Sequence, residues 1–306
     1  MSGIMQMLLG AVVQAAVAAR GLFAGGNSEG DTNTISYITI ATLGNATDFG
    51  DLTTARSALA GCASSTRGIF GGGIYVNVID YITIDTTGNA TDFGDLTVAR
   101  GLLGACSSST RGVFGGGRSG SATDVNTIDY VTIATTGNAT DFGDLAANTY
   151  GLAGCSSTTR GLFGGGRNLS SGPFNVISYI TIATTGNATD FGDLTVARRD
   201  LASCSSSTRG LFSGGFASNF SNVIDYVTIA SAGDATDFGD LIAWTTGFAG
   251  CSSNTRGVFG GGSGFDGQVN VISYVTIATT GDSIDFGDLT QITNNLAACS
   301  NGHGGL

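Results

Sequence analysis

Apolar and polar positions alternate in short runs through residues 20–306, and the same four runs return about every 48 residues. Taken from different copies, they read LAGCS, RGLFGG, VISYVTIA and TDFGDL. Each is four to eight residues long, the length of a half-buried strand. The third run has the strongest strand chemistry, with β-branched and aromatic side chains set between smaller polar ones. Turn residues separate the runs: SSSTRG between the first and second, TTGNAT between the third and fourth. Nothing after residue 20 is long and periodic enough for a helix. The unit is therefore four strands, a to d, in that order.

Three spacings inside the unit are constant. The tyrosine of strand c (Tyr37, Tyr81, Tyr130, Tyr179, Tyr226, Tyr274) precedes the phenylalanine of D-F-G (Phe49, Phe93, Phe142, Phe191, Phe238, Phe286) by 12 residues. That phenylalanine precedes a cysteine (Cys62, Cys106, Cys155, Cys204, Cys251, Cys299) by 13. Cysteine to the phenylalanine of strand b is 8 in the five places where both lie on one continuous stretch. Only the step from strand b to strand c changes, from 11 residues (Phe70 to Tyr81) to 16 (Phe114 to Tyr130). One surface loop per unit absorbs all of the length variation. A period in this range signals a propeller, a solenoid or an array.

The phase of the repeat chooses among them. The first copy begins at strand b, with Arg20, and the last ends at strand a, with Leu296 to Ser300. In a ring these two ends complete one blade. A linear solenoid would need atypical capping units instead, and none is present. The expected fold is all-β: a closed six-bladed β-propeller of four-stranded blades over residues 20–306, with strand a innermost and 1–19 as a separate apolar arm.

The glycine runs after strand b (Gly71 to Gly73, Gly115 to Gly117, Gly164 to Gly166, Gly214 and Gly215, Gly260 to Gly262), each followed by a tyrosine, resemble kelch repeats over residues 20–300. Kelch units form four-stranded propeller blades, so the resemblance implies the same fold. The chain departs from the pattern by lacking the kelch tryptophan after the tyrosine; the D-F-G phenylalanine stands there, which makes the units kelch-like. The wording of the repeat, together with the opening MSGIMQMLLGA, is also similar to repeat proteins of phage virions, those of cyanophages especially. That resemblance implies a virion component.

Charge narrows the partners. All 12 basic residues are arginine, 22 of the 23 acidic ones are aspartate, and the net charge is −11. A nucleic acid or an anionic membrane surface wants the opposite sign. The six cysteines occupy one strand-a position in six different blades. That spaces them around the axis and predicts six buried free thiols rather than disulfides. The arm is apolar, and Ile4, Met5, Met7, Leu8, Leu9, Val12 and Val13 are its candidate docking residues, toward other virion proteins or copies of the chain itself. It is short for a membrane span, and as a signal segment it lacks a charged start.

The catalytic motifs dissolve on inspection. D-F-G occurs six times with no catalytic loop and no lysine. The glycine runs lack G-K-[ST] and precede no helix. The paired aspartates of D-F-G-D read as turn caps or as partners of the T-R-G arginines (Arg67, Arg111, Arg160) rather than as calcium ligands. The single histidine, His303, sits in a glycine-rich tail and is expected to be solvated. No catalytic residue, metal site or cofactor is assigned.

What breaks the repeat carries the functional signal. In an up-and-down blade the b–c and d–a connections emerge on one face, and both vary here. Of the five phenylalanines outside the repeat, four lie in b–c segments: Phe174, Phe216, Phe220 and Phe265. Tyr75, Arg118 and Arg167 join them, and the d–a segments add Tyr150, Trp244, Arg198 and Arg199. Aromatics with arginine suit a binding surface. A host-surface glycan or protein is the expected ligand. The alternatives are a decoration or self-assembling filament protein and a secreted lectin-like propeller, so the location is a virion or, failing that, secreted.

Overall fold

The computed structural model describes residues 18–120 and 123–306. The docking residues expected between Ile4 and Val13 lie outside them. Six four-stranded antiparallel sheets stand around an axis. In blade 2 the order from the axis outward is Ala60–Ala63, Arg67–Gly71, Val78–Thr83 and Thr91–Asp95, strands a to d. Blades 3 to 6 repeat this with inner strands Gly104–Ser107, Ala153–Ser156, Ala202–Ser205 and Ala249–Ser252. Blade 1 takes Arg20–Ala24, Thr34–Thr39 and Thr47–Asp51 from the amino end and Ala297–Ser300 from the carboxyl end. Gly21 pairs with Ser300 and Ala24 with Ala297, so the last strand closes the ring as the phase requires. The six inner strands touch in an unbroken circle.

The constant spacings are packing distances. Each strand-c tyrosine meets the phenylalanine 12 residues on, edge to face, with centroids 5.9–6.1 Å apart. Every c–d pairing carries a β-bulge just before that contact. Each cysteine is buried and free, as the spacing predicts. Its sulfur lies against the glycine of R-G-[LIV]-F in the next blade, where a Cβ would stand only 2.5–3.0 Å away. Cysteine and glycine are thus one lock made by two blades, and burial pushes the Cys62, Cys155 and Cys251 thiols up to about 12.

Two more locks tie the blades together. The T-R-G arginine lies over the tyrosine of its own blade at 4.3–4.8 Å and donates Nη1 to a carbonyl at the end of the next blade's strand c at 2.8–3.0 Å. These arginines therefore do not pair with the D-F-G-D aspartates, which corrects that expectation: the ring and the carbonyl already hold the guanidinium. At the outer rim the c–d turn of each blade donates a glycine N–H to the D-F-G phenylalanine carbonyl of the blade before, as Gly88 does to Phe49 at 2.8 Å. The a–b and c–d segments are uniform in sequence because each is a joint.

Candidate binding face

The b–c and d–a segments share the other face. Three short ribbons extend it: Arg100–Gly101 with Arg118–Ser119, Arg167–Asn168 with Gly172–Pro173, and Ser263–Gly264 with Gly267–Gln268. Of the aromatic residues expected to form the surface, four come together. Phe216 and Phe220 of blade 5, Phe265 of blade 6 and Trp244 between the two form a line, with centroid separations of 5.6, 5.0 and 6.0 Å. Phe265 is 61% exposed and Trp244 49%. Arg199 lies over Phe216 at 4.9 Å and extends the line inward, where it pairs with Asp200.

The other expected residues are dispersed. Tyr75 is exposed on blade 2, with positive φ. Tyr150 is buried: Arg118 and Arg167 cover its ring at 4.8 and 5.8 Å, and Asp124 sits 3.5 Å from Arg118. These three hold two neighbouring loops together and present guanidinium edges rather than an open ring. Phe174 is half-buried at the mouth of an apolar hollow with Leu145, Leu152, Phe163 and Val176.

Arg198 does not reach the surface. It belongs to a set of buried clamps between blades that the sequence reading missed. Arg56, Arg100 and Arg198 pair with Asp80, Asp129 and Asp225 of the following blade at 2.8–2.9 Å. At the other three junctions the arginine position holds Thr149, Thr245 or Thr293, and the aspartate position holds Ser178, Ser273 or Ser36. The two positions change together at all six junctions. The hollow beside Phe174 lies where threonine and serine replace the larger pair.

At the axis, six residues in left-handed conformation ring the mouth: Ala58, Leu102, Gly151, Asp200, Gly247 and Asn295, with φ between 52° and 66°. Each donates its N–H to the carbonyl of the one before, at 2.6–3.0 Å, and Ala58 closes the circle on Asn295. The ring satisfies its own backbone. Asp200 leans over Gly151 and Asn295 over Gly247, positions where no Cβ obstructs them. Asp200 Oδ1 has no hydrogen-bond partner, and burial pushes the carboxyl up against the opposing pull of Arg199 and Arg167.

The opposite mouth is filled by the tail. His303 is not solvated: Nε2 donates to the Ala63 carbonyl at 3.0 Å, and Nδ1 accepts from the Gly305 N–H at 3.0 Å. Four other blades carry a serine at the Ala63 position, and blade 1 carries Ser300. Those five hydroxyls link each inner strand to the one before at 2.6–2.9 Å. The imidazole stands at the one gap in that serine circle. It also lies 3.3 Å from Ser107 Oγ, but its Nε2 carries the proton and Ser107 donates to Ala63, so the two do not form a nucleophile and base. Burial lowers the His303 pKa. Among the described residues, no group of three carboxylate, histidine or cysteine side chains is placed to hold a metal, and no helix is long and apolar enough to cross a membrane.

No family model matches the chain, and comparison with curated proteins gives no match.

Proposed function

We propose that this propeller is a non-enzymatic component of a phage virion, docked through residues 1–19 and presenting its loop face to a host-surface glycan or protein. The observation that carries the reading is polarity. The first described residues enter on the uniform face: the Ala19 carbonyl accepts from Ile40 at the end of strand c, and Ala19 lies beside Gly302 of the tail. The exposed aromatic line is on the opposite face. An apolar segment that follows the chain out of one face and a free aromatic surface on the other suit a protein held from behind while it binds in front.

The uniform face is occupied by the joints between blades, which leaves variation to the loop face alone. The phage assignment adds to this the resemblance of the repeat to virion proteins. Antibody raised against residues 214–222 and visualised with gold on purified phage particles tests the placement. Labelling at a defined position on the particle is the expected result; particles free of both label and protein would remove the virion reading.

A further inference from the structure

We propose that blades 5 and 6 of the loop face bind a neutral saccharide, its rings laid on Trp244 and Phe265 and a hydroxyl donated to Asp200 at the axial end. The inference rests on the reading of this face as a binding surface and adds the sector and the ligand class.

The sector follows from continuity. Trp244, Phe265, Phe220 and Phe216 form one unbroken line, Arg199 covers its inner end, and Asp200 follows directly at the axis. Thr246 ties the two ends by donating its hydroxyl to the Asp200 carbonyl at 3.2 Å. On the other side of the axial ring the residues are Ala58 and Leu102, which offer no polar side chain. Tyr75 and the Tyr150 group are not part of this line.

The ligand class follows from charge and from hydrogen bonding. Arg199 and Asp200 neutralise each other, so the site has no charge to offer an ion. A net charge of −11 repels anions at long range, while the Arg199 guanidinium opposes a cation on the path to Asp200. What the axial end lacks is a neutral donor: Asp200 Oδ1 is buried and unpartnered, and the surrounding backbone is spent within its own ring. Flat apolar faces for C–H surfaces, with an acceptor beyond them that wants O–H, describe a polyhydroxylated ring. A protein partner would have to bury on the order of 800 Å² per side, far beyond a single line of four rings.

The test uses the full chain on a panel of immobilised neutral mono- and oligosaccharides, with sulfated and sialylated ones alongside. Trp244→Ala, Phe265→Ala, Asp200→Gly and Tyr75→Ala are compared, glycine being the residue already present at Gly151 and Gly247 of the same ring. The expected result is retention of a neutral oligosaccharide. That retention weakens about tenfold or more with each of the first three variants, the scale of one hydrogen bond to a charged group or one stacked ring, and is unchanged by Tyr75→Ala. Binding of anionic sugars alone, or no binding to the panel, overturns the ligand class. Neutral sugar binding that ignores Trp244→Ala and Asp200→Gly but is lost with Tyr75→Ala overturns the sector and leaves the loop face standing. Indifference to all four variants overturns both.

Discussion

Replacing Asp129 with serine should unfold far more of the molecule than the loss of one side chain suggests. Arg100 and Asp129 have no exposed area and meet at 2.9 Å. Thr97 also donates to Asp129 through its hydroxyl at 2.6 Å and its N–H at 3.1 Å. The Arg100 Nε already lacks a partner, and burial lowers its pKa despite Asp129. Asp129→Ser would leave the guanidinium buried with one carbonyl, that of Phe114, which costs about 3–5 kcal/mol. Arg100→Thr alone strands the carboxylate at a similar cost. The pair Arg100→Thr with Asp129→Ser recreates the Thr149 and Ser178 junction found one blade further on, and should cost only about 1–2 kcal/mol for the space it opens. The coupling energy is then several kcal/mol, well above the 0.5–3 kcal/mol usual for neighbours. Urea denaturation of the four proteins at neutral pH measures it. Single variants that each cost under about 1 kcal/mol, or costs that simply add, would refute the claim that the two positions form one charged unit.

Three further outcomes follow from the packing. Gly112→Ala places a Cβ 2.7 Å from Cys62 Sγ and should cost about 1–3 kcal/mol by overpacking; adding Cys62→Ala should restore most of it in a thermal melt, and no rescue would mean the cysteine is not the obstacle. The six thiols should resist a thiol reagent at pH 8 in the native protein and all react in denaturant, since burial raises every one of them; a rapidly reacting native thiol would contradict this. His303 should titrate below its ordinary value of 6.5 in a proton NMR experiment. Because the folded value is the lower one, the tail's contribution is complete above 6.5 and declines as pH falls from there toward the folded value. A midpoint at the ordinary value would mean the imidazole faces water.

Much of the fold was legible because the repeat made each spacing visible six times. Tyr to Phe at 12 and Phe to Cys at 13 could not vary without breaking an edge-to-face pair or a cysteine–glycine lock. The phase of the ends showed closure before any coordinate did. His303 was misread because a glycine-rich tail looks solvated, while its glycines are what let it enter the crowded channel mouth beside Ser107, Ser156 and Ser206. The arginine–aspartate clamps were present in the sequence as a paired change at all six junctions, but the partners lie 24–30 residues apart and in different blades. Asp200 was noted only as an aspartate outside the repeat. Its place in the axial ring depends on a left-handed backbone that two glycines, an asparagine, an alanine and a leucine share with it, a mixture with no common signature. The aromatic line was half legible: composition marked Phe216, Phe220, Trp244 and Phe265, and only the fold separated them from Tyr75 and Tyr150.

The most direct test of a propeller held from behind and binding in front is light scattering with electron microscopy on the full chain and on a chain beginning at Ala18. The account predicts that the full chain associates through its first 17 residues, while the shortened chain remains a monomeric six-bladed ring with its melting temperature unchanged. Two equally monomeric proteins would show that residues 1–17 do not drive self-association, and a shortened chain that still associates would place the contact on the propeller itself; either contradicts the docking role assigned to the arm.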